Sequence, residues 1–72
     1  MIICVTGISG GVGWKLAASM LEWSKCRRVV GVDLREPKIR GDELRFYRMA
    51  VREKRLAEVF EKEEVNAVIH AA

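Results

Sequence analysis

Apolar residues along this chain fall into runs and stripes whose period changes from segment to segment. Ile2-Ile3-Cys4-Val5-Thr6 is a short, nearly continuous apolar run that stops at Gly7, as a strand covered on both faces of a parallel sheet reads. Glycines at 7, 10, 11 and 13 keep that strand from continuing. From Val12 to about Ser24 the residues Val12, Leu16, Met20 and Trp23 recur at intervals of four, four and three, with Ala17 and Leu21 widening the stripe. This spacing predicts an amphipathic helix. Lys25-Cys26-Arg27-Arg28 then places basic residues where a helix C-terminus favours them, and Val29-Val30-Gly31-Val32 reads as a second buried strand ending at Asp33.

Residues 35–45 hold the only proline, Pro37, together with Gly41 and a dense set of charges, which predicts a loop. Arg45 to Val51 reads as a short third strand despite poor alternation. Glu53 to Glu64 carries Leu56, Val59 and Phe60 on one side and an acidic outer face, and Glu58 precedes Lys62 by four residues in the favourable order. This is the second predicted helix. After Asn66, the segment Ala67-Val68-Ile69-His70-Ala71-Ala72 reads as a final buried strand running to the last residue. The β/α alternation predicts an α/β fold with a doubly wound parallel sheet in one unit over residues 1–72, without repeats or a low-complexity linker.

Composition narrows the classes. Half the residues are hydrophobic and 32% are charged, the balance of a globular chain rather than of a disordered or membrane one. No apolar run approaches the length of about 18 residues that a spanning helix needs. The apolar start is five residues long and lacks a basic segment, so no secretory signal is expected and a cytoplasmic location is. Cys4 and Cys26 lie outside any Cys-x-x-Cys and have no neighbouring histidine, which favours buried free thiols over a metal site or a redox pair. A chain of 72 residues stands near the lower edge of what one hydrophobic core stabilises without crosslinks. The net charge of +3 is uneven, with +1 in residues 1–26, +5 in 27–55 and −3 in 56–72. The basic middle could meet phosphate. Only Phe46 and Tyr47 interleave with it and no nucleic-acid motif is present, so a solvated basic face is expected rather than a nucleic-acid partner.

The segment that carries chemistry is Thr6-Gly7-Ile8-Ser9-Gly10-Gly11-Val12-Gly13, set between a predicted strand and a predicted helix. A pyrophosphate is held by backbone N–H groups at a helix N-terminus, and the chain approaches it closely only where no Cβ intervenes. Gly7 suits the tight turn, Gly10 the close approach and Gly13 the packing of helix on strand. The spacing is G-x-x-G-x-x-G rather than the general G-x-G-x-x-G. Asp33 follows Gly13 by twenty residues at the end of the second strand, where a carboxylate can accept hydrogen bonds from ribose hydroxyls. The plainer alternatives are a generic strand-to-helix turn and an acid that caps a strand end.

Val5-Thr6-Gly7-Ile8-Ser9-Gly10-Gly11-Val12-Gly13, Val30-Gly31-Val32-Asp33 and Val68-Ile69-His70-Ala71-Ala72 together resemble the N-terminal signatures of the extended short-chain dehydrogenase/reductases, the NAD-dependent epimerase/dehydratase group. The resemblance covers residues 2–72. It implies a partial Rossmann-like sheet of strand order 3-2-1-4, the N-terminal part of an NAD(P)-binding domain whose C-terminal half lies outside this chain. It also implies a site. Gly7, Ser9, Gly10, Gly11, Val12 and Gly13 would form the phosphate loop, Asp33 would be the ribose acid, and Leu34 and Arg35 would edge the adenosine pocket. Ala50 and Val51 would meet the adenine edge, where the family usually has Asp and an aliphatic residue. Ala71 and Ala72 would end the strand beside the nicotinamide-side ribose and phosphates. NAD is expected over NADP, because Asp33 would repel a 2′-phosphate, although Arg35, Lys38 and Arg40 stand ready to offset it.

The chain also departs from the family. Gly11 replaces a frequent aromatic residue, Ala50 removes the adenine carboxylate, Trp14 is bulky for a first helical turn, and Ala71 stands where leucine or phenylalanine is common. The family's catalytic Tyr-x-x-x-Lys dyad is absent: Tyr47 is the only tyrosine, and Val51 lies four residues later. No catalytic residue is therefore expected here, His70 reads as a strand-end residue, and no P-loop follows the glycines. The implied function is the dinucleotide-binding half of an NAD(P)-dependent epimerase/dehydratase-type oxidoreductase, with a nucleotide sugar as one candidate substrate. The alternative is a stand-alone nucleotide-binding or regulatory module without turnover. The last strand, with a bare apolar edge, is expected to favour self-association.

Overall fold

The computed structural model describes residues 1–52 and 54–71. The expected helix start at Glu53 and the expected site residue Ala72 lie outside the described residues. The chain folds as β1 (Ile2–Thr6), α1 (Gly13–Glu22), β2 (Arg28–Asp33), β3 (Leu44–Arg48), α2 (Arg55–Glu63) and β4 (Ala67–His70). Every strand pair is parallel and the sheet order is β3-β2-β1-β4, the expected 3-2-1-4 arrangement.

Two cores flank the sheet because β1 and β2 are apolar on both sides. Ile2, Cys4, Val30 and Val32 point one way and pack with Met49, Val59, Leu56 and Phe60, under α2. Ile3, Val5 and Val29 point the other way and pack with Ile8 and Ala17, under α1. The connection between β2 and β3 contributes Ile39 to that second core in place of a helix. Burial pushes the Cys4 thiol up to about 11, so it is an inert core residue. Cys26 is only half-buried, with its Sγ 3.3 Å from the Arg28 carbonyl oxygen.

Three expectations need correction. The inward face of α1 is formed by Gly13 and Ala17, with Met20 and Leu21 half-buried beside them, whereas Val12 is 65% and Trp23 42% exposed. The close approach of the helix to the sheet selects small residues for the contact and leaves the ends of the larger stripe, Val12 and Trp23, exposed. β3 begins at Leu44 and ends at Arg48 instead of running from Arg45 to Val51, because pairing with β2 stops level with Asp33. β4 ends at His70 and is not buried on both faces. Ala67 and Ile69 are half-buried, while His70 is exposed and Val68 is 48% exposed. Val68 lies beside Cys4 in register, on the α2 side but at the sheet's outer edge. Asn66 fixes where β4 starts, its Oδ1 accepting from the Ile2 N–H at 2.7 Å and its N–H donating to the Ile2 carbonyl at 2.8 Å.

Candidate functional site

From the central strand β1, the chain winds outward to β2 and β3, then crosses back to β4 on the other side. The C-terminal end of β1 is thus the point where the winding reverses, and open α/β sheets bind ligands in the crevice formed there. The glycine segment lies over this end. Gly7 takes a positive φ of 74°, which glycine adopts without the penalty a Cβ brings. Its N–H donates to the Val32 carbonyl at 2.9 Å, and its own carbonyl accepts from the Gly10 N–H at 3.1 Å. A Cβ on Gly13 would stand 2.1 Å from the Gly7 carbonyl oxygen, so only glycine lets α1 start against this turn.

Gly11 is different: a Cβ there would meet nothing within 4 Å, and a Cβ on Gly10 would lie at an ordinary 3.4 Å from the Gly7 oxygen. Packing within the chain does not require glycine at either place. α1 begins without a side-chain cap and without an acid in its first turn. Among the described residues, the N–H groups of Gly11, Val12 and Gly13 have no acceptor, while that of Trp14 donates to the Gly10 carbonyl at 3.3 Å. Three open donors at a positive helix end are an arrangement that can receive an anion. Trp14 is half-buried, with the Lys15 ammonium 5.9 Å from its ring centroid.

Asp33 is tied directly to this loop. Its Oδ2 accepts from the Ser9 N–H at 3.0 Å, and its Oδ1 accepts from the N–H groups of Leu34 at 2.7 Å and Arg35 at 3.4 Å. The Ser9 hydroxyl donates to the Arg35 carbonyl, so two bonds from Ser9 join the loop to the end of β2 beside that from Gly7. Burial pushes the Asp33 carboxyl up, but the three backbone donors and the Arg35 charge outweigh it and hold it below its usual value. The carboxylate is therefore ionised at neutral pH. It borders a cavity of about 210 Å³ lined by Gly7, Asp33, Leu34, Met49, Ala50, Val51 and Arg52. The sequence-nominated residues Gly7, Asp33, Leu34, Ala50 and Val51 thus share one hollow at the ends of β1, β2 and β3. Leu34 forms its exposed rim, and its carbonyl accepts from the Arg48 guanidinium at 3.3 Å.

Ala71 sits on the other side of β1, its N–H donating to the Thr6 carbonyl at 2.9 Å. The His70 Nδ1 lies 2.6 Å from the Thr6 hydroxyl oxygen, so the ring is engaged at the strand end. Two larger hollows, one of about 230 Å³ between β3 and α2 and one of about 350 Å³ beside the 36–41 loop, lack the glycine loop and its donors.

Sequence reading passed over two features. Ile8, inside the glycine segment, is fully buried, and a Cβ on Gly31 would come within 2.5 Å of its Cδ1. The glycine within the apolar strand Val29–Val32 was the available signal. Glu63 is a charged residue only 2% exposed, accepting from the Tyr47 hydroxyl and facing Arg28 at 3.4 Å and Arg45 at 3.7 Å. In the sequence it was one acid among three at the end of α2, with Glu61 and Glu64.

The model of the NAD dependent epimerase/dehydratase family matches residues 3–72. No curated protein matches the chain. Among solved structures, UDP-glucuronic acid 4-epimerase from Bacillus cereus in complex with NAD is 26% identical with a TM-score of 0.82, all of this chain covering 26% of that one. UDP-glucose 4-epimerase from Thermotoga maritima, with UDP-glucose, is 25% identical with a TM-score of 0.81, all of this chain covering 24% of that one. A short chain dehydrogenase from Leptospira borgpetersenii with bound NAD+ has a TM-score of 0.81 at 23% identity, over 99% of this chain and 30% of that one. The chain thus spans 24–30% of the length of these structures.

Proposed function

The chain belongs to the NAD dependent epimerase/dehydratase family, and on that footing we propose that its residues form the half-site that binds NAD(H) through the adenosine and the diphosphate. The observation that carries this reading is the conjunction at the end of β1: three open N–H groups at Gly11, Val12 and Gly13, and the Asp33 carboxylate bonded to the same loop. The diphosphate would lie against the helix N-terminus, with Gly10 and Gly11 leaving room for it. Asp33, ionised and held in place by backbone donors, would accept from the adenosine ribose hydroxyls. Leu34, Arg35, Ala50 and Val51 would bound the base, and Ala71 would border the cofactor's far side.

When bound, the nicotinamide accepts and returns a hydride. This chain's contribution is to hold and orient the dinucleotide, since its one tyrosine, Tyr47, is not followed by a lysine four residues on and its hydroxyl is engaged with Glu63 on the α2 side. In an epimerase or dehydratase of this family the acid–base groups would have to come from outside these residues, with a nucleotide sugar as a candidate substrate. The same absence also supports a second reading, a nucleotide-binding module without turnover, in a cytoplasmic setting in either case.

Calorimetric titration of the chain with NAD+ and NADP+ tests the proposal. NAD+ is expected to bind more tightly, and Asp33→Ala to weaken NAD+ by about tenfold, the lower end of what a hydrogen bond to a charged group contributes. Tighter NADP+ binding, or an unchanged NAD+ affinity in the variant, removes Asp33 from the ribose. Turnover of a nucleotide sugar by these 72 residues alone would refute the assignment of catalysis elsewhere.

A further inference from the structure

Strand β3 has β2 on one side, and among the described residues no strand lies beyond it on the other. The Val29 N–H donates to the Glu43 carbonyl at 2.9 Å and the Met49 N–H to the Asp33 carbonyl at 3.0 Å, one at each end of the pairing. Successive residues of a strand turn their backbone groups to opposite sides, so those of Arg45 and Tyr47 face β2 while those of Phe46 and Arg48 face outward. An open edge of this kind is a template for one more strand.

The side chains of β3 alternate in step. Leu44 and Phe46 pack on the α1 side and line the hollow of about 350 Å³ together with Pro37 and Ile39. Tyr47 and Met49 pack on the α2 side and line the hollow of about 230 Å³. Both hollows therefore flank the same open strand, one on each face. A strand added to this edge would place alternate side chains over the two hollows, and in such pairing the main-chain bonds supply affinity while the hollows supply specificity.

Charge selects the occupant. On the α1 side the apolar wall carries Glu36 and Arg40, whose formal charges cancel. On the α2 side Arg48, Arg55 and Lys62 line the hollow against Glu58 alone, and Arg45, its side chain 54% exposed, shares the one Glu63 carboxylate with Arg28. A second copy of this chain laid along the edge would set the basic residues of β3 against one another, and like charges across a strand pair oppose it. We propose that the outer edge of β3 is a docking site for an extended segment of a partner protein in which acidic residues alternate with apolar ones, the acids on the α2 face and the apolar side chains on the α1 face. This surface is separate from the dinucleotide site, since neither hollow includes the glycine loop or Asp33.

The probe is a fluorescein-labelled peptide of alternating valine and glutamate, titrated with the chain and followed by fluorescence anisotropy. Saturable binding is expected, weakened by about tenfold or more when lysine replaces glutamate and severalfold when salt is raised from about 0.1 to about 1 M, which shortens the screening length from about 10 to about 3 Å. One alternating set of peptide N–H groups would meet β3 and the other would face away. N-methylation of the first set is expected to abolish binding, and N-methylation of the second to leave it intact. Lys62→Glu should weaken binding severalfold. Arg48→Pro, which removes an outward N–H without taking a bond from β2, should abolish it, with the folding of both variants checked by circular dichroism. No saturable binding, equal binding of the glutamate and lysine peptides, or equal effects of the two N-methylation patterns overturns the proposal. Self-association in sedimentation that Arg48→Pro abolishes and Val68→Lys does not overturns it in favour of a second copy at this edge. If Arg48→Pro does not fold, the paired N-methylated peptides decide.

Discussion

Replacing Gly13 by alanine adds a single methyl group at the place where α1 meets the β1 turn. That Cβ would stand 2.1 Å from the Gly7 carbonyl oxygen, 2.9 Å from its carbon and 3.0 Å from the Ile8 Cα. All three are backbone atoms, so no side chain can rotate away to relieve the clash. Either α1 lifts off the sheet, loosening the Ala17 and Ile8 contacts beneath it, or the positive-φ turn at Gly7 distorts. Overpacking of this kind costs about 1–3 kcal/mol, and the backbone nature of the contact places it in the upper part of that range. Alanine's better helix propensity offsets at most about 1 kcal/mol. For a domain of this size a loss of about 2 kcal/mol lowers the melting temperature by roughly 8–16 °C.

Gly11→Ala is the matched control, because its Cβ meets nothing within 4 Å. It is expected to change stability by no more than about 0.5 kcal/mol, yet to weaken NAD+ binding by crowding the open N–H groups. Thermal and urea unfolding followed by far-UV circular dichroism, with calorimetric titration of NAD+, would show the two effects separated between the two variants. Equal stabilities of Gly13→Ala and Gly11→Ala would refute the assignment of Gly13 to helix packing.

Three further outcomes are expected. The Asp33 carboxyl is lower in the folded chain than unfolded, so its stabilising contribution is full above its unfolded value and is lost as pH falls through the folded one; urea midpoints of the chain and of Asp33→Asn should differ by a constant amount at neutral pH and converge below about pH 4. Tyr47 is raised above its usual value by its hydrogen bond to Glu63, by burial and by the Glu63 charge; ultraviolet titration of Glu63→Gln should bring the phenol back down, and Tyr47→Phe should cost about 1–2 kcal/mol. Val68, 48% exposed on the outer strand β4, should drive association, so sedimentation should show Val68→Lys to be less self-associated than the parent chain; identical sedimentation would clear that edge.

The first half of the chain was readable because each of its elements depends on local chemistry. An uninterrupted apolar run makes β1 regardless of what surrounds it, and clustered glycines can only turn. Asp33 follows from the end of β2 and its distance from Gly13. What local pattern could not supply was phase and depth. Val12 and Trp23 belong to an amphipathic stripe by spacing, but the helix sits so close to the sheet that Gly13 and Ala17 take the contact instead. Ile8 looked like part of a polar turn and became core because Gly31, on the neighbouring strand β2, leaves room for it. Glu63 could not be distinguished from the acids around it, since its burial depends on Arg28, Arg45 and Tyr47, which arrive from β2 and β3. The outline of the site was legible in Gly7, Gly10, Gly11, Gly13 and Asp33. Leu34, Ala50 and Val51 were nominated only through the family resemblance, and the hollow they share with Met49 and Arg52 forms where β3 lies beside β2.

The central claim is that the end of β1, with its three open N–H groups and Asp33, is where a dinucleotide binds. Two-dimensional amide NMR of the chain titrated with NAD+ tests it residue by residue. The account predicts the largest shifts at the amides of Gly11, Val12 and Gly13, with accompanying shifts at Ser9, Leu34 and Arg35, and little change along α2. Shifts concentrated at Tyr47, Glu58 and Lys62, or no saturable shift at the glycine loop, would contradict it.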